Sequence, residues 1–131
     1  PTALRFPNVV TNTGTAYNTG TGIFTAPANG IYEFTATVSM QLPTGVTGTR
    51  NEYYIDLFNV TGAARIQMVW FGDSNDTGGT GFNATNISSR KVEMTAGQQI
   101  SVRIAVTTAA AGRTLYIADA AANSLQVVRV K

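Results

Sequence analysis

The stretch that decides the fold runs from Phe6 to Phe34 and reads FPNVVTNTGTAYNTGTGIFTAPANGIYEF. Its aromatic residues are separated by threonine, glycine and asparagine, which turn the chain or expose it to water. Aromatics spaced in this way cannot form the apolar stripe of an amphipathic helix, but short successive strands can deliver them to one core. The stretch therefore predicts the beginning of an all-β domain.

The clearest strand of the sequence follows a turn at residues 26–30. Pro27 presets φ for the second turn position, and Gly30 tolerates the positive φ that closes a hairpin. From residue 31 to residue 40 apolar and polar side chains alternate, with Tyr32 on the apolar face. This period of two predicts a half-buried strand.

Outward from this stretch, the sequence consists of short β runs separated by polar loops. Further strands are predicted over residues 53–60, 65–71, 82–94, 99–107 and 124–130. The loops between them are rich in Gly, Thr and Asp and cover residues 41–51, 72–81 and 108–123. Many short strands at regular spacing, with no segment long enough for a stable helix, indicate an all-β sandwich.

Length and composition predict a single domain over residues 1–131. A chain of this length buries about two-thirds of its unfolded surface without disulfides or metal. Only 12% of the residues are charged, against about 25% in an ordinary soluble domain. Such a surface fits a secreted or particle-borne β protein better than a cytosolic enzyme. Because the chain begins at Pro1, we expect it to be a piece of a longer protein.

Missing residue types remove several functional classes. The sequence contains no Cys and no His, so a thiol nucleophile, a Ser-His-Asp triad and a conventional zinc site are excluded. The net charge of +2 comes from scattered basic residues, and Arg90-Lys91 is the single adjacent pair. No nucleic-acid surface is therefore predicted. No apolar run approaches the roughly 18 residues of a membrane span, so membrane insertion is not predicted.

Carboxylates alone do not predict an enzyme here. A glycosidase needs two carboxylates about 5–10 Å apart. Asp73 and Asp76 could meet that distance, but a polar loop offers neither of them the buried environment of a general acid. We predict no enzymatic activity and no required cofactor.

Seven positions at fixed spacing resemble a known signature. They are Phe6, Asn12, Tyr17, Phe24, Gly30, Tyr32 and Phe34. This pattern resembles the complement component 1q globular head, which belongs with the tumour-necrosis-factor-like jelly rolls. The stretches at residues 91–102 and 124–130 are similar to later strands of that family. One departure is Ala36, where the family usually has an aromatic, and it suggests a divergent bacterial or phage member.

The resemblance implies a ten-stranded jelly-roll β-sandwich that assembles as a homotrimer. Such heads usually form the C-terminal tip of a longer fibre or stalked protein, are extracellular and act by binding. The resemblance also implies that six signature residues belong to the structural core: Phe6, Tyr17, Phe24, Gly30, Tyr32 and Phe34.

Strand direction predicts where a ligand would bind. Antiparallel strands reverse the chain at alternate ends, so the three polar loops share one end of the sandwich. If the N terminus lies beside the C terminus, as in the family, that end is the distal tip. Loops held on a rigid sheet commonly carry binding residues. The candidate ligand-binding residues are Arg50, Asp73, Asn75, Asp76, Arg113 and Asp119; the alternative is that they are solvated loop residues.

One loop also resembles the opening of a calcium site. Asp73, Asn75 and Thr77 place oxygen donors at alternate positions before Gly78, as calcium loops do. The bidentate Glu of an EF-hand is missing, because Ala84 stands at its position. A calcium ion and an ordinary Asp/Asn/Gly turn both remain open.

Two classes of function follow. The first is a receptor-binding head at the tip of a phage tail fibre or bacterial surface fibre, which recognises a cell-surface glycan or protein. The second is a structural cap or trimerisation module with no ligand of its own. Within the binding class, a secreted animal innate-immune lectin of the complement 1q type is the rival, and Gly-X-Y repeats upstream of Pro1 would indicate it.

Overall fold

A computed structural model of the protein describes the backbone of residues 2–11, 13–41, 50–75, 83–106, 116–117 and 123–131, and the strands in these ranges form two sheets. Side chains are described for residues 3–11, 13–38, 55–66, 89–104 and 123–131. The strands within these ranges are β1 (Thr2–Ala3), β2 (Asn8–Thr11), β3 (Tyr17–Asn18), β4 (Ile23–Thr25), β5 (Gly30–Gln41), β6 (Arg50–Asn59), β7 (Ala64–Asn75), β8 (Asn83–Met94), β9 (Gln99–Val106), β10 (Tyr116–Ile117) and β11 (Ser124–Arg129).

The pairing of these strands gives a sandwich. Sheet A has the order β3-β4-β9-β6-β7, and β1 also pairs with β9. Sheet B has the order β10-β5-β11-β2, and β8 pairs with β5. All of these pairs are antiparallel except β2 with β11, which is parallel. This all-β architecture of two sheets agrees with the jelly-roll sandwich predicted from the sequence; with the two-residue strands included, eleven strands lie in the described ranges.

The core lies between the two sheets and is centred on the aromatics of the opening stretch. The rings of Tyr32 and Phe34 each pack edge-on against Phe24, with centroids 5.4 Å apart. These three residues and Phe6 are almost fully buried. Each buried aromatic contributes roughly 1.5–3 kcal/mol by leaving water. Ala36, the departure from the family pattern, is also buried in this core.

Tyr17 is half-buried and fastens the N-terminal segment to β3. Its hydroxyl accepts a hydrogen bond from the backbone N–H of Phe6 at 3.0 Å and donates to the carbonyl oxygen of Leu4 at 3.4 Å. Burial raises the pKa of Tyr17 above its usual value, and the bond from the Phe6 N–H opposes this rise. The segment before β2 is thus held by one hydroxyl as well as by its own buried side chains.

Gly30 is required for a different reason from the one the sequence predicts. Gly14, Gly22 and Gly97 have positive φ among the described glycines, whereas Gly30 does not. A Cβ at Gly30 would overlap the carbonyl oxygen of Lys131. That oxygen accepts a hydrogen bond from the N–H of Ile31 at 2.8 Å. Gly30 therefore permits the close approach of the last residues of the chain.

The strands are longer, and the polar loops shorter, than the sequence predicts. Strand β7 continues through Gly72 to Asn75, where a loop over residues 72–81 is predicted. It does so because β6 begins at Arg50 and pairs with β7 over that whole length. Strand β10 likewise lies within the predicted connection 108–123 and pairs with the end of β5. Backbone pairing overrides the turn preference of Gly, Asp and Asn here.

The first and last described residues of the chain lie against different strands. Thr2 is the register partner of Ile104, close to the end of β9. The C-terminal residue Lys131 instead bonds Ile31 at the start of β5. The placement of the polar loops at a distal tip stays a prediction.

Candidate functional site

One end of the sandwich, which we call the turn end, is defined by hydrogen bonds between tight turns. The N–H of Ala96 donates to Oδ1 of Asn29 at 2.8 Å, and the N–H of Gly97 donates to the carbonyl of Ala26 at 2.8 Å. The N–H of Val60 donates to the carbonyl of Gln99 at 2.9 Å. These bonds join turns from both sheets, so the two sheets share this end.

The opposite end, which we call the loop end, is defined by strand register. In sheet A, Arg50 pairs with Asn75, and Tyr53 pairs with Val106. The beginning of β6 and the ends of β7 and β9 therefore meet there. In sheet B, Gln41 pairs with both Asn83 and Tyr116. The chain thus enters and leaves the connections 42–49, 76–82 and 107–115 at this one end.

Three of the predicted binding residues have a described backbone position at the loop end. Arg50 and Asn75 are direct register partners, and Asp73 is the partner of Glu52 two positions further along the same strands. These three residues lie on paired strands, where the sequence predicts loops. The backbone of Arg50 therefore lies directly across from that of Asn75, and Asp73 lies two residues before Asn75 on the same strand. Their role in binding stays a prediction.

The other predicted binding residues, Asp76, Arg113 and Asp119, lie outside the described residues, as does Thr77. The calcium prediction for Asp73, Asn75 and Thr77 therefore stays a prediction. The strand geometry bears on it in one respect. Asp73 and Asn75 lie in extended backbone paired with β6, whereas a calcium loop of the EF-hand type wraps its ligands around the ion.

A buried charge cluster joins the three strands that lead to the loop end. Asp56 of β6 is fully buried. Arg103 of β9 donates to it twice, from Nε to Oδ1 at 3.0 Å and from Nη2 to Oδ2 at 2.8 Å. Arg65 of β7 donates from Nε to Oδ2 at 2.8 Å. Because a buried carboxylate is costly unless it is paired and hydrogen-bonded, these three bonds fix the strands relative to one another.

Arg103 also contacts an aromatic ring on the same face of sheet A. Its guanidinium carbon lies 3.5 Å from the centroid of the Phe58 ring, a distance at which cation and ring attract. The Arg103 side chain is only 15% exposed, against 41% for Arg65. The ring and the carboxylate together hold Arg103 in one orientation, so the cluster acts as a brace between the three strands, in the half of the sheet nearer the turn end.

The binding residues predicted from the sequence do not include Asp56, Arg65 or Arg103. The one signal available was the polar Asp56 between the apolar Ile55 and Leu57, and alternation explains that as an ordinary outward-facing residue. Its burial depends on two arginines from other strands. Their identity as partners depends on strand register, which no local pattern gives.

At the turn end the surface carries an open groove of about 490 Å³. The groove lies between the turn at Pro27 and Ala28 and the C-terminal residues Arg129, Val130 and Lys131. Arg129 donates from Nη2 to the carbonyl oxygen of Asn29 at 2.6 Å. This hydrogen bond therefore holds the end of β11 against the turn at residues 26–30, at the turn end of the sandwich.

The described part of the chain contains no helix long and apolar enough to cross a membrane. Comparison with curated proteins finds no match for this chain. Comparison with protein families finds one model, described as the C1q domain, which matches residues 1–111. That span holds the aromatic core, the brace around Asp56 and most strands of both sheets. The chain belongs to the C1q domain family.

Proposed function

We propose that the protein is a non-enzymatic, homotrimeric binding head that recognises a cell-surface glycan or protein through its loop end. It is extracellular, at the tip of a phage tail fibre or a bacterial surface fibre. The observation that carries the proposal is the match to the C1q domain over residues 1–111.

Family membership supports the general part of this proposal. C1q domains typically self-associate as trimers and are generally secreted or extracellular. The family is also generally non-enzymatic. A trimer would present three loop ends together, and simultaneous engagement would raise a weak single-site affinity through effective concentration.

The arrangement of sheet A supports the loop end as the binding surface. Arg50, Asn75 and Val106 are terminal residues of β6, β7 and β9 at this end. The same three strands are joined through Asp56 by Arg65 and Arg103. Residues at the loop end therefore extend from strands that are fixed to one another. Such a rigid support lets loops bind a ligand with a smaller loss of conformational entropy.

We also propose an optional calcium ion, with Asp73, Asn75 and Thr77 as its ligands. Titration calorimetry with calcium chloride tests this directly. Heat of binding together with a higher melting temperature would support the site, and the absence of both would reject it without affecting the rest of the proposal.

Light scattering tests the trimer. The expected mass is three times the 13.8 kDa of one chain, and a clean monomer at micromolar concentration would contradict the proposal. Glycan arrays and binding to whole cells then test recognition. A correctly trimeric head that both ignore would favour the structural cap instead.

Alanine substitutions test where the ligand binds. Arg50→Ala, Asp73→Ala and Arg113→Ala should each weaken binding and leave the melting temperature unchanged. Lys131→Ala at the turn end is the matched control, since it also removes a charge but should leave binding intact. Loss of binding and stability together would show that a residue supports the fold.

A further inference from the structure

Residue alternation along β6 defines the two faces of sheet A. Ile55 and Leu57 are buried in the core between the sheets, so Asp56 belongs to the opposite face, which we call the outer face. Strand β6 pairs with β9 from Tyr53 to Asn59 without a register shift, so the alternation is not interrupted. The preceding outer-face positions on β6 are Tyr54, Glu52 and Arg50. Within the ranges that the structure describes, the strands form two sheets, and no third sheet covers this face.

Strand register adds residues of β7 to the outer face, because direct cross-strand partners lie on the same face of a sheet. The pairing of β6 with β7 has no register shift between Arg50 and Ile55. Three cross-strand pairs therefore belong to the outer face in the half of sheet A nearer the loop end. They are Tyr54 with Phe71, Glu52 with Asp73 and Arg50 with Asn75. An aromatic pair, a pair of carboxylates and an arginine–asparagine pair thus follow one another towards the loop end.

The carboxylates Glu52 and Asp73 form an unfavourable pair for the sheet by itself. An aromatic pair such as Tyr54 with Phe71 stabilises a sheet, whereas like charges directly opposite each other destabilise it. Arg50 is diagonal to Asp73 and supplies one positive charge against the two negative ones. Local features that cost stability are expected at functional sites. Two carboxylates next to two aromatic residues are therefore better explained by a ligand than by the needs of the fold.

We propose that this part of the outer face binds a neutral glycan, meaning a chain of sugar rings that carries no carboxylate, sulfate or phosphate. The inference rests on the proposed function and names its ligand class. The apolar C–H face of a sugar ring packs on the negative face of an aromatic ring, which Tyr54 and Phe71 offer at adjacent positions. Sugar hydroxyls donate hydrogen bonds to carboxylates such as that of Asp73, and the Asn75 amide both donates and accepts.

The charges of this region favour a neutral glycan over an acidic one. Glu52 and Asp73 are negative and Arg50 is positive, so negative charge predominates over the three pairs. Like charges that face each other across an interface exclude wrong partners. A sialylated or sulfated glycan would therefore be repelled, whereas uncharged hydroxyl groups meet hydrogen-bond acceptors without repulsion.

The buried charge cluster fixes the strands that carry the aromatic pair. Asp56 is the next outer-face residue after Tyr54 on β6. Its carboxylate accepts two hydrogen bonds from Arg103 of β9 and one from Arg65 of β7. The strands of Tyr54 and Phe71 are thus joined by a side-chain contact as well as by backbone pairing. A surface that is ordered before the ligand arrives loses less conformational entropy on binding.

A glycan array tests the ligand class, with neutral, sialylated and sulfated glycans as the probes. We expect the head to bind a subset of the neutral glycans and none of the sialylated or sulfated ones. The double variant Glu52→Gln/Asp73→Asn keeps hydrogen-bonding groups but removes both negative charges, so it should also bind sialylated glycans. Preference of the wild type for acidic glycans, or binding to whole cells without binding to any glycan, would overturn the inference and leave the proposed binding head intact. A head that binds neither the array nor whole cells would contradict the proposed function itself.

Leucine substitutions separate recognition from folding. Tyr54→Leu and Phe71→Leu keep an apolar side chain but remove the flat ring, so each should weaken binding to neutral glycans by about tenfold and leave the melting temperature unchanged. Ile66→Ala is the matched control, because Ile66 is a 36% exposed apolar residue of β7 nearer the turn end, and its loss should not affect binding. Neutral-glycan binding that both leucine variants retain would overturn the inference, even if Arg113→Ala abolished it, since recognition would then belong to the loops alone.

Discussion

Asp56 and Arg103 face each other directly across β6 and β9, and the guanidinium of Arg103 donates two hydrogen bonds to the Asp56 carboxylate, at 3.0 and 2.8 Å. The carboxylate is fully buried although it lies between two core residues, Ile55 and Leu57, on the opposite face of the strand. Removing one partner of a buried pair leaves the other charge without compensation. The fold therefore depends on this pair more than on any exposed ion pair.

Arg103→Met should lower the free energy of unfolding by about 3 kcal/mol, because it leaves the buried Asp56 with one remaining cation. Arg65→Met should cost only about 1 kcal/mol, since the Arg65 side chain is 41% exposed and water screens its ion pair with Asp56. Urea denaturation monitored by fluorescence measures both. Equal losses for the two variants would show that the two arginines share the carboxylate equally.

Tyr17→Phe should remove about 1 kcal/mol of stability at neutral pH, because the N–H of Phe6 loses its acceptor. The effect should also depend on pH. Burial raises the pKa of Tyr17 above 10.0 in the folded chain, so the folded protein holds the hydroxyl proton more tightly than the unfolded chain does. The stability that this provides is complete below pH 10 and is lost as the pH rises through the raised value.

The measurement for Tyr17 is a series of denaturation curves between neutral pH and strongly alkaline pH. The wild type should lose its advantage over Tyr17→Phe above about pH 10. Subtracting the free energy of unfolding of Tyr17→Phe from that of the wild type removes the contribution of the other tyrosines, because they titrate in both proteins. A difference that grows with pH would mean that the folded state favours the ionised hydroxyl.

Gly30→Ala should destabilise the protein by about 1–3 kcal/mol, because the added methyl group overlaps the carbonyl oxygen of Lys131. The bond from the Ile31 N–H to that oxygen should weaken as well. Gly20→Ala is the matched control, since its Cβ would meet only the side-chain oxygen of Asn18, at 3.2 Å. Thermal melts of the two variants compare them, and similar melting temperatures would contradict the packing role of Gly30.

Sequence pattern was sufficient for those parts of the fold that depend on local chemistry. The alternation around Tyr32 and Phe34 and the turn at Pro27 identify β5 and its buried face, because burial on one side of a strand leaves a period of two. The turn preference of Gly72 and its neighbours misled the prediction, since pairing with β6 from Arg50 keeps them extended. Gly30 was identified as important, but for its φ and not for the approach of Lys131.

The brace around Asp56 could not be predicted from the sequence for a related reason. Asp56 and Arg103 are separated by 47 positions, and only the register of β6 with β9 brings them together. The candidate residues at the loop end were predicted from strand direction alone, and the register then placed Arg50 beside Asn75.

Ala63→Gly should stabilise the protein by about 0.5–1 kcal/mol. Ala63 has a φ of 49° in the turn between β6 and β7, and a residue with a Cβ pays roughly 1–2 kcal/mol for this left-handed conformation. Glycine removes that cost. Its greater conformational entropy in the unfolded chain offsets only part of the resulting gain in stability. The turn itself should not change, because it is also held by the bond from the Gly62 N–H to Oδ1 of Asn59 at 2.9 Å. Ala64→Gly, one residue later at the start of β7, is the control and should destabilise, since glycine weakens a strand. Differential scanning calorimetry should therefore show shifts of opposite sign at two adjacent alanines, and shifts of the same sign would mean that the strain at Ala63 does not contribute to stability.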